Sequence, residues 1–259
     1  MTRLAVLIPV YNDQVFLDRA LAWLSREDTA FDAVIVDDGS QSPIRLPPAL
    51  PFAVELIRLP RNVGIVAALN AGLERIVAAG YDYVARMDAD DISLPGRFRA
   101  QMAFLEAHPD HAVVGSWYEE VDANLATLFV QRPATRHEEL MREFRYRNPF
   151  AHSAVMLRVA TLRHHAWYDE RYRGTEDYEL LFRLAQREKV ANLATIFLRC
   201  QVTGKTSTSR RPFGYFHRMR VQLRNFEPRS PHSYFGLLRT CLMILVPWRA
   251  AIALKRLWA

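Results

Sequence analysis

Over roughly its first 120 residues the chain alternates short, mostly apolar runs with longer stretches that carry apolar side chains at helical spacing. Leu4-Ala5-Val6-Leu7-Ile8-Pro9-Val10 has strand length and no polar side chain, the pattern of a strand covered on both faces. Phe16, Leu17, Ala20, Leu21 and Leu24 then recur as one helix face. Ala33-Val34-Ile35-Val36 and Val54-Glu55-Leu56-Ile57-Arg58 read as two further strands, the second followed by a helix using Val66, Leu69, Leu73, Ile76 and Val77. Tyr83 to Met87 is a fourth strand, Phe98, Met102 and Leu105 mark the next helix, and Ala112-Val113-Val114-Gly115-Ser116 is a fifth strand. Strands separated by helices need crossover connections. The chain is therefore expected to form an α/β fold, with a Rossmann-like, mostly parallel sheet flanked by helices.

Ligands in such sheets bind outside the carboxyl ends of the strands, and polar clusters collect at those ends here. Pro9-Val10-Tyr11-Asn12 follows the first strand, Asp37-Asp38-Gly39-Ser40 the second, Arg61-Asn62-Val63-Gly64 the third and Asp88-Ala89-Asp90-Asp91 the fourth. Topology predicts that all of them meet along one rim. Three carboxylates in four residues repel one another unless a cation binds them or they cap a helix, and Pro95 does open a helix-like stretch. A hard divalent ion, Mg²⁺ or Mn²⁺, suits oxygen ligands presented this way and brings substrate phosphates with it. No Gly-x-Gly-x-x-Gly follows the first strand and no Walker-type loop is present, which argues against dinucleotide and P-loop chemistry.

Taken together, Pro9-Val10-Tyr11-Asn12, Val36-Asp37-Asp38-Gly39-Ser40, Asn62-x-Gly64, Met87-Asp88-Ala89-Asp90-Asp91 and Thr175-Glu176-Asp177-Tyr178 resemble a family 2 glycosyltransferase with the GT-A fold. The resemblance extends over residues 3–210. It implies that Asp38 meets a pyrimidine base edge, that Tyr11 and Pro9 flank the base, and that Gly64 lets the backbone approach the nucleotide. It implies Asp88 on ribose or metal, Asp90 as direct metal ligand, Asp91 as a supporting or capping residue, and Arg61 either at the phosphates or solvated. Asp177 is then the general base that takes the acceptor hydroxyl's proton in an inverting, in-line displacement, with Glu176 orienting it. The donor substrate implied is a nucleoside-diphosphate sugar, and Mn²⁺ or Mg²⁺ would neutralise the departing diphosphate.

The acceptor half is less defined. Asn148-Pro149-Phe150-Ala151-His152-Ser153 leads into an apolar run, with His152 either touching acceptor or diphosphate or serving as a satisfied structural residue. Trp117 and Tyr118 offer aromatic faces for a sugar, or core packing. Thr175 stands where a helix N-cap would, before Leu180, Leu181 and Leu184. Gly204 to Arg211 reads as a polar lid, with Lys205 or Arg210 as cationic clamp, or as a solvated linker.

Charge divides the chain. Its formal net charge is +6, yet from Arg199 onward twelve basic residues face only Glu227, which leaves −5 for the first 198 residues. Within this basic tail, Phe235 to Trp248 is strongly apolar but too short for the roughly 20 residues that span a bilayer, and Trp248 and Trp258 suit an interfacial helix. The alternative is a helix docked on the body. The reading is thus a GT-A catalytic domain over 1–210, its nucleotide half about 1–120 and its acceptor half about 121–210, followed by a basic helical segment over 211–259.

Two cysteines make no disulfide framework, and Met1 to Val6 runs straight into a strand without a signal peptide. The expected location is cytoplasmic, peripheral on the inner membrane. The Gln-x-x-Arg-Trp signature of processive synthases is missing, so transfer of a single sugar to a glycan or lipid-linked acceptor, in cell-surface polysaccharide biosynthesis, is expected. A nucleic-acid binder would explain the tail but not the carboxylates, and no nucleic-acid partner is expected. A catalytically silent sugar-nucleotide-binding scaffold would keep the rim without needing Asp177.

Overall fold

A computed structural model describes residues 2–202 and 212–245, and Lys205, Arg210, Trp248 and Trp258 therefore lie outside the described residues. In chain order the elements are β1 (Leu4–Val10), α1 (Gln14–Leu24), β2 (Asp32–Asp37), β3 (Ala53–Arg58), α2 (Ile65–Ala78), β4 (Tyr83–Arg86), β5 (Ile92–Ser93) and α3 (Arg97–Ala107). Then follow β6 (His111–Val121), β7 (Thr127–Gln131), α4 (His137–Phe144), β8 (Met156–Arg158), α5 (Val159–His164), α6 (Glu176–Ala185), β9 (Lys189–Gln201), α7 (Pro212–Arg224) and α8 (Pro231–Leu245).

All strands join one nine-stranded sheet in the order β3-β2-β1-β4-β8-β6-β9-β5, with β7 paired to β6. Neighbours from β3 to β4 are parallel. β8 then enters antiparallel to both β4 and β6, and β9 runs parallel to β6. The insertion of β8 has a direct consequence. Its incoming turn, residues 152–154, lies at the carboxyl end of β4, where Arg86 N–H donates to the Val155 carbonyl at 2.9 Å.

The strand period of two explains the layers. Leu4, Val6, Ile8 and Val10 of β1 face a core completed by Leu17, Leu21 and Leu24 of α1 and Phe98 and Leu105 of α3. Ala5 and Leu7 face the opposite core, built with Val66, Leu69, Leu73 and Ile76 of α2 and with Leu180, Leu181 and Leu184 of α6. Every residue of β1 is buried, as its unbroken apolar run predicts. Truncating Leu7 or Leu69 to Ala would cost about 2–5 kcal/mol. Val221 of α7 belongs to the second core, so the first part of the basic tail is packed onto the body.

Candidate functional site

The rim is built from the strand ends upward. After β2, Asp37 Oδ1 accepts from Ser40 N–H at 2.8 Å, closing a tight turn. Asp38 reaches across to the loop after β3, where its oxygens accept from Val63 N–H at 2.8 Å and Gly64 N–H at 2.9 Å. Gly39 and Gly64 have φ of +68° and +96°, which favours glycine at both positions. A Cβ on Gly39 would lie 2.3 Å from the Arg61 carbonyl carbon, so the two loops interlock. Asn12, with φ of 55°, ties the end of β1 to the loop after β2: its N–H donates to Ser40 Oγ at 2.9 Å and its Oδ1 accepts from Gln41 N–H at 2.8 Å.

Two of the sequence expectations for this half are redistributed. Pro9 is buried inside β1 in register with Val36, so its ring packs in the sheet, while Tyr11 stands 43% exposed on the rim. Arg61 is exposed and its guanidinium has no hydrogen bond or ion pair among the described residues. Gly64 does meet a neighbour. The Arg173 guanidinium lies over it, within 2.6 Å of where a Cβ would stand.

After β4 the acidic cluster is organised by two residues that the sequence reading passed over. Arg86 is 2% exposed and pairs through Nη1 with Asp88 Oδ1 at 2.5 Å. Ser153 Oγ donates to Asp88 Oδ2 at 2.8 Å and accepts from Asp88 N–H at 3.1 Å and Arg86 Nη1 at 3.2 Å. That uses the hydroxyl's one proton and both lone pairs. Arg86 carried a signal, since an arginine inside an apolar strand run is a rare buried charge that needs a partner. Ser153 carried none without the β4–β8 pairing.

Asp88, Asp90 and Asp91 each offer a carboxylate oxygen, and these atoms lie within 4.8 Å of one another. Burial and then the Asp88 charge raise the Asp90 pKa to about 6, and burial with both neighbours pushes Asp91 well above the ordinary range. Asp91 Oδ1 accepts from Gln201 N–H of β9 at 3.1 Å, so it ties the cluster to the sheet and caps no helix. Crowded hard oxygen donors with elevated proton affinity fit a divalent cation, with Asp88 and Asp90 on its open side.

Across the rim, Glu176 and Asp177 open α6. Thr175 occupies the N-cap position, but its hydroxyl donates to the Tyr172 carbonyl at 3.2 Å and caps nothing. Glu176 accepts from Gly174 N–H at 2.5 Å instead. Asp177 Oδ2 accepts from Asn148 Nδ2 at 2.8 Å, a partner 29 residues away. Burial raises both carboxyls. Repulsion from Asp177 adds to the effect on Glu176, which reaches about 7, while the Asn148 hydrogen bond and Arg218 draw Asp177 down in part.

His152 Nε2 is bonded to the Tyr168 hydroxyl at 2.7 Å, and burial followed by Arg86 holds its pKa well below normal, so the ring is neutral. The pair Trp117 and Tyr118 is separated. The Trp117 indole donates to the Pro133 carbonyl at 3.0 Å, whereas Tyr118 lies within the field of Asp177 and Arg147.

The mixed sheet with its polar rim at the strand ends has the GT-A fold of nucleotide-sugar transferases. The TarS fragment 1–349 of S. aureus, solved in complex with UDP-GlcNAc, superposes with a TM-score of 0.69 at 16% identity, covering 93% of this chain and 72% of that one. The profile of "Glycosyl transferase family 2" matches residues 5–165, so the chain belongs to that family and is a glycosyltransferase. Amylovoran biosynthesis glycosyltransferase AmsE of Erwinia amylovora is 31% identical over 257 residues, 93% of this chain and 91% of the relative. The UDP-Gal:alpha-D-GlcNAc-diphosphoundecaprenol beta-1,3-galactosyltransferase of Escherichia coli is 26% identical over 69% of this chain, which spans 66% of that relative's length.

Proposed function

We propose that this chain moves one sugar from a nucleoside-diphosphate sugar to a hydroxyl of a glycan or lipid-linked acceptor, with inversion, in cell-surface polysaccharide biosynthesis. The observation that carries the reading is the position of Arg86. It pairs with Asp88 and its charge also acts on Asp90, Asp91, Glu176 and Asp177, so one buried guanidinium joins the acidic cluster to the head of α6.

In this reading the base lies over Tyr11 with its edge toward the loop that Asp38 holds. Gly64 and Arg61 face the phosphates. Asp177, with Asn148 fixing one carboxylate oxygen, accepts the acceptor hydroxyl's proton as that oxygen bonds to the anomeric carbon. The bond from that carbon to the diphosphate breaks, and its electron pair leaves with the nucleoside diphosphate. Asp88 and Asp90 would hold Mn²⁺ or Mg²⁺, which supplies charge neutralisation of the leaving diphosphate. Burial raises the proton affinity of Asp177, which makes its carboxylate a stronger base. Glu176 is tied to the Gly174 amide and positions the turn. His152, neutral and held by Tyr168, supports the same turn as Ser153. Lys205 is proposed as a clamp on the diphosphate.

The tail is proposed to attach peripherally to an anionic membrane, on the cytoplasmic face of the inner membrane. Among the described residues no helix is long and apolar enough to cross a bilayer. Phe235, Leu238 and Leu242 of α8 are exposed, and the tail's excess of arginine suits acidic headgroups.

The deciding experiment is a thermal-shift screen of nucleoside diphosphates and nucleotide sugars with and without Mn²⁺, followed by transfer assays on Asp90→Asn and Asp177→Asn. Metal-dependent stabilisation by a nucleotide sugar, with turnover lost in both variants, is expected. Unchanged turnover in both variants would sink the mechanism.

A further inference from the structure

α8 turns its small residues toward the protein. Ser233, Gly236 and Thr240 are buried at helical spacing. A Cβ on Gly236 would stand 2.2 Å from the Arg145 carbonyl oxygen, and Thr240 Oγ1 donates to Gln222 Oε1 of α7 at 2.8 Å. The large apolar residues are left outside, with Phe235, Leu238 and Leu242 at 46%, 60% and 52% exposure. A surface helix ordinarily does the reverse.

The place where α8 docks leads directly to the proposed base. Arg239 Nη1 donates to the Tyr146 carbonyl at 3.3 Å, and the Phe235 ring meets the Tyr146 ring edge-on at 5.6 Å. Next along the chain come Arg147 and Asn148, the latter bonded to Asp177. α7 adds Arg218, whose charge acts on Asp177. Three guanidiniums thus gather around this segment. Glu143 pairs with Arg147 at 2.7 Å, whereas Arg218 and Arg239 have no ion pair among the described residues. Burial, Arg218 and Arg147 together hold Arg239 below the ordinary arginine pKa, although the residue as a whole is exposed. Like charges held together in this way disfavour the protein unless an anion joins them.

We infer that Arg218 and Arg239 bind the phosphates of an acceptor that is a lipid-linked diphosphate sugar, whose hydrocarbon chain runs along Phe235, Leu238 and Leu242 while its sugar hydroxyl meets Asp177. This rests on the reading of Asp177 as the base. The lipid diphosphate undergoes no chemistry here. It anchors the acceptor, and the outward apolar stripe lets the chain remain in or leave toward the bilayer without crossing a polar surface.

The test uses the full chain saturated with UDP and Mn²⁺, so that the donor's diphosphate site is filled, and measures binding of farnesyl diphosphate, farnesol and pyrophosphate by calorimetry. Farnesyl diphosphate is expected to bind at least about tenfold more tightly than either fragment. Arg218→Gln and Arg239→Gln should each weaken it about tenfold, the size of a lost charge-assisted hydrogen bond, with UDP affinity kept as the control for folding. Arg218→Lys should retain part of the affinity. Leu238→Ser should weaken farnesyl diphosphate and leave pyrophosphate unchanged. Farnesol binding as well as farnesyl diphosphate, or farnesyl diphosphate binding that ignores both arginine substitutions, overturns the inference. Absence of UDP binding in the unsubstituted chain would instead overturn the nucleotide-sugar reading, and the farnesyl diphosphate arms remain readable without it.

Discussion

The carboxylates at the end of β2 and those facing them across the rim are held in opposite ways. Asp37 and Asp38 accept backbone amides from Ser40, Val63 and Gly64, so their charge fastens one loop to another. Asp90, Asp91, Glu176 and Asp177 are crowded and desolvated, and their proton affinities are raised. Fastened carboxylates contribute stability to the fold. Crowded ones oppose it, and such groups concentrate where a protein binds cations or moves protons. The difference divides the rim into a fastened side and a poised side.

The largest effect should come from the poised side. Asp177→Asn keeps the shape and the approach of Asn148 but removes the basic oxygen, and kcat is expected to fall about a thousandfold while UDP affinity holds. Rapid-quench transfer assays beside UDP titrations check this; a kcat within threefold of the parent would remove Asp177 from the role. Asp90→Asn should lower turnover about a hundredfold and raise the Mn²⁺ concentration needed for half-activity. If activity fell with no change in metal dependence, the cluster would not be the metal site.

The fastened side should answer in stability. Asp38→Ala leaves two backbone amides without partners, at a cost of about 2 kcal/mol and a melting temperature lower by about 6 °C. A melting temperature equal to the parent's would show that the two loops do not depend on Asp38.

The pH dependence tests the poised side again. Groups whose folded pKa lies above the unfolded value bind more protons in the native state, so stability falls as pH rises through that window. For Asp90 the window runs from 3.8 to about 6, and for Glu176 from 4.5 to about 7. These two carboxyls therefore favour the folded, metal-free protein more at about pH 5 than at about pH 7.5, while His152, whose pKa is held low, works in the opposite direction. Glu176→Gln should flatten that slope in melting temperature; a slope unaffected by Glu176→Gln would contradict the assignment.

The smallest effect belongs to α8. Leu238→Ser with Leu242→Ser touches exposed positions and should change stability by less than about 0.5 kcal/mol each. Flotation with anionic liposomes should nonetheless drop clearly, and equal flotation of variant and parent would detach the membrane proposal from α8.

Sequence by itself determined most strands and helices of the first 120 or so residues and the order of the rim motifs. The apolar run Leu4–Val10 coincides with β1, and the helical spacing from Val66 to Val77 falls within α2, because both periodicities arise between neighbours along the chain. The acidic cluster and Glu176-Asp177 were legible for the same reason, being contiguous. Tertiary structure alone decided what holds them. Ser153 reaches Asp88 across 65 residues because β8 enters antiparallel beside β4, and Asn148 reaches Asp177 through the packing of α4 against α6. It also buried Pro9 in the sheet, parted Trp117 from Tyr118, and turned the small face of α8 inward. Each depends on which surfaces become neighbours once the whole core closes. That choice is made by packing across the chain, and no local pattern records it.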